Sequence, residues 1–144
     1  ERERQRLFAG IRTIGRRCGH TILLAGDPDL ARRWGAEGHY GSARAVHGLH
    51  LAPVHTRSEI RAAERAGAHM LILSPLFPTR SHPGGTTLGP LRFAALARAT
   101  RLPVLALGGV QKRHESLIRR IGAWGWGGID AFQRRTQKRN AVPI

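Results

Sequence analysis

The sequence of 144 residues is long enough for one domain with a buried core, and 41% of its residues are hydrophobic. Its single cysteine, Cys18, excludes an intramolecular disulfide and an all-cysteine zinc site. No apolar run approaches the ~20 residues that cross a bilayer, and the amino terminus has no signal-peptide pattern. We therefore expect a soluble, cytoplasmic protein that does not contact membranes.

The net charge of +15 arises from 24 lysines and arginines against 9 aspartates and glutamates. This excess favours anionic partners, either nucleic acid or phosphorylated small molecules. Most of the arginines are spread over helix-like segments, and only 6% of the residues are aromatic, which leaves few side chains to stack on bases. The composition therefore indicates a solvated arginine-rich surface rather than a nucleic-acid groove.

The first half of the chain alternates predicted helices and strands. It opens at Glu1 inside a helical pattern with no initiator methionine, so we expect that the start was processed or that an upstream part is absent from this sequence. One face of this helix, within residues 1–18, carries Leu7, Phe8, Ile11 and Ile14. The elements predicted next are a strand at 21–25, a turn at 26–29, a short helix at 30–34, and strands at 35–41 and 48–53.

The second half continues the alternation. A helix beginning at Ser58 and Glu59 is followed by a strand at 69–74, a helix at 91–99, a strand at 102–107, a helix at 114–121 and a strand at 124–129. Trp124 and Trp126 are predicted to pack in the core or at its rim. Six strands that alternate with helical segments indicate right-handed βαβ units and one parallel sheet, hence an α/β fold. The pattern by itself does not separate a doubly wound sheet from a barrel.

The stretch HMLILSPLFPTRSHPGGTTLG, residues 69–89, joins a buried strand to a long loop. Loops at the carboxyl ends of parallel strands are where α/β proteins place ligand sites. The hydroxyl groups of this loop, its arginine and its glycine pair suit an oxyanion such as phosphate. We therefore predict the functional site here.

Four segments, in this order, carry a family resemblance: AGDPDLARRWGAEGHYG, LHLAPVHTRSEIRAAERAGAHMLILSPLFPTRSHPG, PVLALGGV and GAWGWGGIDAF. Together they resemble the thiamine phosphate synthase family, including its thiazole tautomerase-like branch. The resemblance implies a (β/α)₈ TIM-barrel whose first two strands are missing, with the six predicted strands similar to the third to eighth. Residues 1–144 are then a single, partial barrel domain.

The resemblance implies a phosphate cup for the thiazole phosphate, made by Gly108, Gly109, Ile129 and Asp130. A glycine pair after a buried strand lets backbone amides approach an anion closely, although a tight turn is the plainer interpretation. Thr79 and Ser81 match the hydroxyl pair that the resembling synthases use on the substrate phosphates. His82 stands where the family usually has lysine, and Arg80 is the neighbouring cation that could replace that charge.

The resemblance also places a magnesium-binding aspartate at Asp27, because a hard cation between diphosphate oxygens needs carboxylates. A helix cap is an equally weighted interpretation of Asp27. The second acidic ligand expected after the next strand is missing, since Gly41–Arg44 contains no acid and its arginine would repel a metal. Magnesium is therefore a doubtful cofactor.

By the resemblance, the predicted strand that precedes His55 corresponds to the fifth strand of the barrel. A histidine at a barrel's catalytic rim can move protons near neutral pH, and the tautomerase-like branch uses one at this position. Many synthases have a histidine here too, and a structural role competes. The four histidines in or beside strands, His39, His47, His50 and His69, have no recognisable metal-ligand spacing and are predicted to be structural.

The resemblance thus implies a thiamine phosphate synthase-like transferase of thiamine biosynthesis, which couples a pyrimidine diphosphate to a thiazole phosphate and has an eroded metal site. Two alternatives stay open. One is a thiazole tautomerase-like enzyme with His55 as acid and base, and the other is a non-catalytic phosphate-binding or anion-binding protein with a basic surface. The expected partners are phosphorylated thiazole and pyrimidine compounds, and a homo-oligomer is left open.

Overall fold

The computed structural model of the protein describes residues 1–44, 46–79 and 84–128. Its elements follow the predicted alternation. The helices are α1 (Arg2–Arg17), α2 (Pro28–Arg33), α3 (Arg57–Arg65), α4 (Gly89–Ala97) and α5 (Glu115–Arg120), and a 3₁₀ turn (Lys112–His114) precedes α5. The strands are β1 (Leu23–Ala25), β2 (Gly38–Tyr40), β3 (Leu49–Val54), β4 (Met70–Leu73), β5 (Val104–Ala106) and β6 (Gly125–Trp126).

The six strands form one sheet in the order β1-β2-β3-β4-β5-β6, and every neighbouring pair is parallel. The predicted α/β class is therefore confirmed. Sequential order without a reversal is the order of consecutive strands in a (β/α)₈ barrel. Within the described residues the sheet is open, with β1 and β6 at its two edges. All carboxyl ends meet along one edge, where the predicted site lies.

Two clusters of buried side chains hold the helices on the sheet. The larger cluster lies between β3–β5 and the last three helices, and Leu71, Leu73 and Phe93 in it are completely buried. The smaller cluster joins α1 and α2 to β1 through Phe8, Leu24, Ala31 and Ala36. Burial of a leucine or phenylalanine side chain contributes about 1.5–3 kcal/mol, so the larger cluster provides most of the hydrophobic stabilisation.

Helix α1 confirms the predicted first helix, but most of its apolar face lies uncovered. Of its four large apolar residues only Phe8 is buried, whereas Leu7, Ile11 and Ile14 are 62%, 55% and 65% exposed. The helix is attached at its polar side instead. The Arg12 guanidinium donates to the carbonyl oxygens of Trp34 and Gly35 at 2.9 and 2.8 Å, which satisfies the carboxyl end of α2.

The connection between β2 and β3 is unusually short for parallel strands. Residues 41–48 join them, and the described ones, 41–44 and 46–48, contain no helix. A parallel crossover normally needs a dozen or more residues because the chain must return along the full strand. This βα unit therefore places no described helix on the sheet.

Several predicted boundaries and one burial prediction require correction. Helix α2 begins at Pro28 rather than at residue 30, and Thr56 caps α3 where a start at Ser58 was predicted. Trp124 is 73% exposed, so it does not pack in the core, one of the two places predicted for it, and it directly precedes β6. Trp126 is half-buried, packs against the larger cluster and donates its indole N–H to Glu115 at 3.4 Å.

Among the described residues, no helix has the length and apolarity to cross a membrane.

Candidate functional site

The carboxyl ends of β3, β4 and β5 lie side by side, and the loop after β4 is tied to the turn after β5. The Leu76 N–H donates to the carbonyl oxygen of Leu107 at 2.8 Å, and the Phe77 N–H donates to that of Gly108 at 3.0 Å. These bonds fix the first part of the loop, which leads directly to the half-buried Thr79. The fold therefore brings two predicted parts of the site, Thr79 and the glycine turn, onto neighbouring strand ends.

The turn at Gly108 and Gly109 fits only glycine. Both residues have positive φ values, 88° and 63°, a conformation that side chains disfavour. A Cβ on Gly108 would lie 2.6 Å from the Cβ of Pro75, and one on Gly109 would collide with the carbonyl oxygen of Pro78. The backbone of the turn thus lies directly against the loop that leads to Thr79, and this packing by itself accounts for both glycines.

His55 lies immediately after β3 and is bound to the end of β4. Its Nδ1 atom is 2.6 Å from the carbonyl oxygen of Ser74. A carbonyl oxygen only accepts hydrogen bonds, so Nδ1 carries the proton in neutral His55, and Nε2 is left as the basic nitrogen. The backbone N–H of His55 donates to the Glu59 carboxylate, which fixes the residue from the other side. His55 is exposed, as a residue that meets a substrate must be.

Glu59 and Ser74 are supporting residues that the sequence analysis missed. The pattern Thr56-Arg57-Ser58-Glu59 is a capping-box sequence, and the Thr56 hydroxyl accepts the Glu59 N–H at 3.2 Å. The Glu59 carboxylate then reaches back to His55 rather than to the cap residue itself. The capping-box spacing is the sequence signal that could have identified Glu59. The role of the Ser74 carbonyl depends on strand pairing, which no local sequence pattern shows.

A second support lies beneath the loop after β4. The ring of Phe77 contacts the ring of His114 with centroids 4.6 Å apart. The Gln111 N–H donates to Nδ1 of His114 at 3.2 Å. Burial lowers the pKa of His114, and the charge of Arg113 lowers it further, so both effects favour the neutral ring. This contact between distant segments could not be read from the sequence.

Asp27 caps a helix. Its carboxylate accepts the Asp29 N–H at 2.8 Å at the start of α2, which is the role of an N-cap. The nearby Asp29 carboxylate lies 3.8 Å from the Arg32 guanidinium. The described residues contain no group of three or more histidine, cysteine or acidic side chains that could hold a metal ion. One capping carboxylate is too few for a preformed magnesium site, so the described residues do not fit this ion.

The remaining predicted site residues are Arg80, Ser81, His82, Ile129 and Asp130. All five lie outside the described residues, and their predicted roles stay predictions. Of the described ones, the structure groups His55, Thr79, Gly108 and Gly109 at the ends of three adjacent strands. Asp27 lies apart from them at the end of β1, two strands from β3.

The described part of the site is a glycine turn that lies against a hydroxyl-bearing loop at the carboxyl edge of the sheet. A comparison with protein families adds a sequence match over almost the whole chain. The family model described as "Thiamine monophosphate synthase" matches residues 1–132. The chain belongs to this family. The resemblance drawn from the four sequence segments is therefore confirmed, and membership connects the chain with thiamine biosynthesis.

Individual relatives agree with the family. The chain is 30% identical over 143 residues to a thiamine-phosphate synthase of Syntrophomonas wolfei, covering 91% of this chain and 68% of that one. It is 32% identical over 135 residues to a thiamine biosynthesis bifunctional protein of Symbiobacterium thermophilum, covering 85% of this chain and 28% of the other. The solved thiamine phosphate pyrophosphorylase from Pyrococcus furiosus has the same fold, with a TM-score of 0.73 at 21% identity, over 89% of this chain and 66% of that one. The chain thus spans about two thirds of two of these proteins and less than a third of the other.

Proposed function

We propose that this protein is a transferase of the thiamine-phosphate synthase type, which joins a pyrimidine diphosphate to a thiazole phosphate. The observation that carries the proposal is the contact between the Gly108–Gly109 turn and the loop that leads to Thr79. The family model and the relative from Syntrophomonas wolfei are both named for the synthesis of thiamine phosphate, which supports the proposal. Substrates of this kind are small phosphorylated compounds of intermediary metabolism, so we also propose a cytoplasmic location.

In the proposed reaction the bond between the pyrimidine methylene carbon and the diphosphate oxygen breaks, and diphosphate leaves with the electron pair. The thiazole nitrogen then supplies its lone pair to the methylene cation and forms the new carbon–nitrogen bond. No proton transfer is needed, so the protein acts mainly by orienting the two substrates and stabilising charge. The amides of Gly108 and Gly109 would hold the thiazole phosphate together with Ile129 and Asp130. Thr79, Arg80, Ser81 and His82 would bind the diphosphate.

Magnesium assists diphosphate departure in the synthases that this chain resembles. Asp27 is the residue proposed for it, but its carboxylate already serves as a helix cap. A single capping carboxylate does not suit Mg²⁺, so the roles proposed above belong to the residues of the chain itself.

The geometry of His55 supports a second candidate, thiazole tautomerisation. Its Nδ1 is bonded to the Ser74 carbonyl, which leaves an exposed basic Nε2 that could take a proton from one carbon of the thiazole and return it to another. This reaction needs a positioned base and a phosphate site but no metal. It differs from coupling in requiring one substrate only.

Product formation separates these candidates. The protein is incubated with both substrates, with and without magnesium, and thiamine phosphate is measured; product formation is the expected result. A protein that forms no thiamine phosphate but interconverts thiazole isomers would be a tautomerase. If neither product forms, and anion binding weakens steeply with salt without preference for thiazole phosphate, the protein is a non-catalytic anion binder.

A further inference from the structure

Two buried histidines hold the short loop that follows β2. His39 and His50 lie opposite each other on adjacent strands, are completely buried, and stack with ring centroids 4.3 Å apart. Nε2 of His39 is 3.0 Å from the carbonyl oxygen of Ala43, and Nε2 of His50 is 2.9 Å from that of Gly41. Because carbonyl oxygens only accept, both Nε2 atoms are the protonated donors. The loop is therefore attached to the sheet by two side-chain hydrogen bonds, in the βα unit whose described residues contain no helix.

The buried histidine pair is energetically less favourable than apolar side chains would be at these two positions. Nδ1 of His39 and Nδ1 of His50 are both buried without a hydrogen-bond partner among the described residues. An unpaired buried acceptor is unfavourable, and two leucines would fill the same volume without that cost. What the histidines supply and leucines would not is the attachment of the loop. The two histidines therefore indicate that residues 41–44 need to be held in a fixed position.

This loop, residues 41–44, lies at the same edge of the sheet as the candidate site. It is continuous with the end of β2, and the Gly26 N–H donates to the carbonyl oxygen of Tyr40 at 2.9 Å. A Cβ on Gly41 would lie 3.3 Å from the carbonyl oxygen of Gly26, so the loop packs against the turn that carries Asp27. Its last residue, Arg44, is exposed and forms no ion pair with the described residues.

We propose that Arg44 binds the anionic group of a substrate and that His39 and His50 are positioning residues that hold its loop. The identity of that anion as the diphosphate rests on the proposed function. Arg44 is the one charged residue of the loop at 41–44, and it lies at the carboxyl edge of the sheet, where the phosphate-binding residues are proposed to lie. A guanidinium can donate two parallel hydrogen bonds to phosphate oxygens, which gives both charge and orientation.

The first test measures binding of inorganic diphosphate by calorimetry at low salt. Arg44→Gln is expected to weaken binding about tenfold, the usual effect of losing one charge-assisted contact, while Arg44→Lys retains part of it. Arg61→Gln, which removes an exposed arginine from α3, is the matched control and should bind as the wild type does. Equal affinities of Arg44→Gln and wild type would overturn the proposal.

The second test addresses the histidine pair. His39→Gln retains a donor for the Ala43 carbonyl, whereas His39→Leu removes it. We expect His39→Leu to weaken diphosphate binding as Arg44→Gln does, and His39→Gln to restore it. In a protein that couples the substrates, KM for the pyrimidine diphosphate should rise while KM for the thiazole phosphate stays unchanged. A folded His39→Leu protein with wild-type diphosphate affinity would refute the positioning role.

Failure of this inference is distinguishable from failure of the proposed function. Normal thiamine phosphate formation by Arg44→Gln, with an unchanged KM, would refute the role of Arg44 and leave the synthase reaction intact. Conversely, diphosphate binding that depends on Arg44 in a protein that forms no product would support the anion site and refute the coupling reaction.

Discussion

Nδ1 of His55 lies 2.6 Å from the carbonyl oxygen of Ser74, and this bond joins the ends of two adjacent strands. It fixes both the position and the tautomer of the imidazole, because only a protonated Nδ1 can donate to a carbonyl. The result is a basic Nε2 at the edge of the sheet, on the strand next to the one from which the loop to Thr79 leaves. Substitutions of His55 can test the role of Nδ1 separately from the role of Nε2.

His55→Asn is predicted to separate the structural role of His55 from its chemical role. The asparagine amide can still donate from near the position of Nδ1, but it has no group at the position of Nε2. We expect the free energy of unfolding to stay within about 1 kcal/mol of the wild type. If the protein is a tautomerase, proton transfer should fall about a hundredfold or more, since general acid–base catalysis contributes that much. Thiamine phosphate coupling, which needs no proton transfer, should change little.

Gly109→Ala is predicted to damage the anion site. The φ of 63° disfavours a side chain, and the new Cβ would collide with the carbonyl oxygen of Pro78 and displace the loop. We expect a loss of more than about 1 kcal/mol in the free energy of unfolding, together with loss of thiazole phosphate binding. Chemical denaturation and calorimetry with the ligand would measure the two effects.

Gly122→Ala is the matched control for that change. Gly122 also has a positive φ, 88°, but among the described residues its Cβ would meet only the Cβ of Ala97, at 3.7 Å. It should therefore lose stability through backbone strain alone and bind thiazole phosphate normally. Normal phosphate binding by Gly109→Ala would contradict the proposed phosphate cup.

Two substitutions of Asp27 distinguish a helix cap from a metal ligand. Asparagine is as good an N-cap as aspartate, so Asp27→Asn should keep wild-type stability, whereas Asp27→Ala should lose about 1 kcal/mol. If the cap is the main role, Asp27→Asn should also keep the wild-type dependence of activity on magnesium concentration. A large increase in the magnesium required by Asp27→Asn would instead show that the carboxylate binds the ion.

Acid is predicted to destabilise the protein through His50. Burial lowers the pKa of His50, and the charges of His39 and His69 lower it further, while the bond to the Gly41 carbonyl offsets part of this. The unfolded state therefore binds more protons than the folded state at and below about pH 6.5. The free energy of unfolding should fall as the pH drops from about 7 to about 5, which urea titrations at several pH values would show.

His50→Gln isolates this contribution, because it keeps an amide donor for the loop but cannot titrate. Its stability should depend less on pH than that of the wild type over the same range. The lowered pKa of His114 acts in the same direction in both proteins, so only the difference between their slopes belongs to His50. Identical slopes would show that His50 does not contribute.

The sequence predicted the alternation of elements well because burial alone sets it. Strands such as Met70–Leu73 are short apolar runs, and helices such as α3 have an apolar face at helical spacing, so both patterns are local. Boundaries were less accurate where a single cap decides them, as at Asp27 and Thr56. The burial of Trp124 was predicted wrongly because it depends on where β6 begins. The pattern of alternating side chains does not specify that residue.

The sequence by itself therefore determined the α/β class, the family and the identity of the glycine turn and the loop after β4. Tertiary structure decided which of these residues meet. The bond from His55 to Ser74, the fit of Gly109 against Pro78, and the histidine pair that holds the loop at 41–44 all join residues on different strands. Each depends on strand register and on the path of a connection. Those are properties of the whole sheet, because pairing between distant segments is fixed by their joint burial and not by either segment alone.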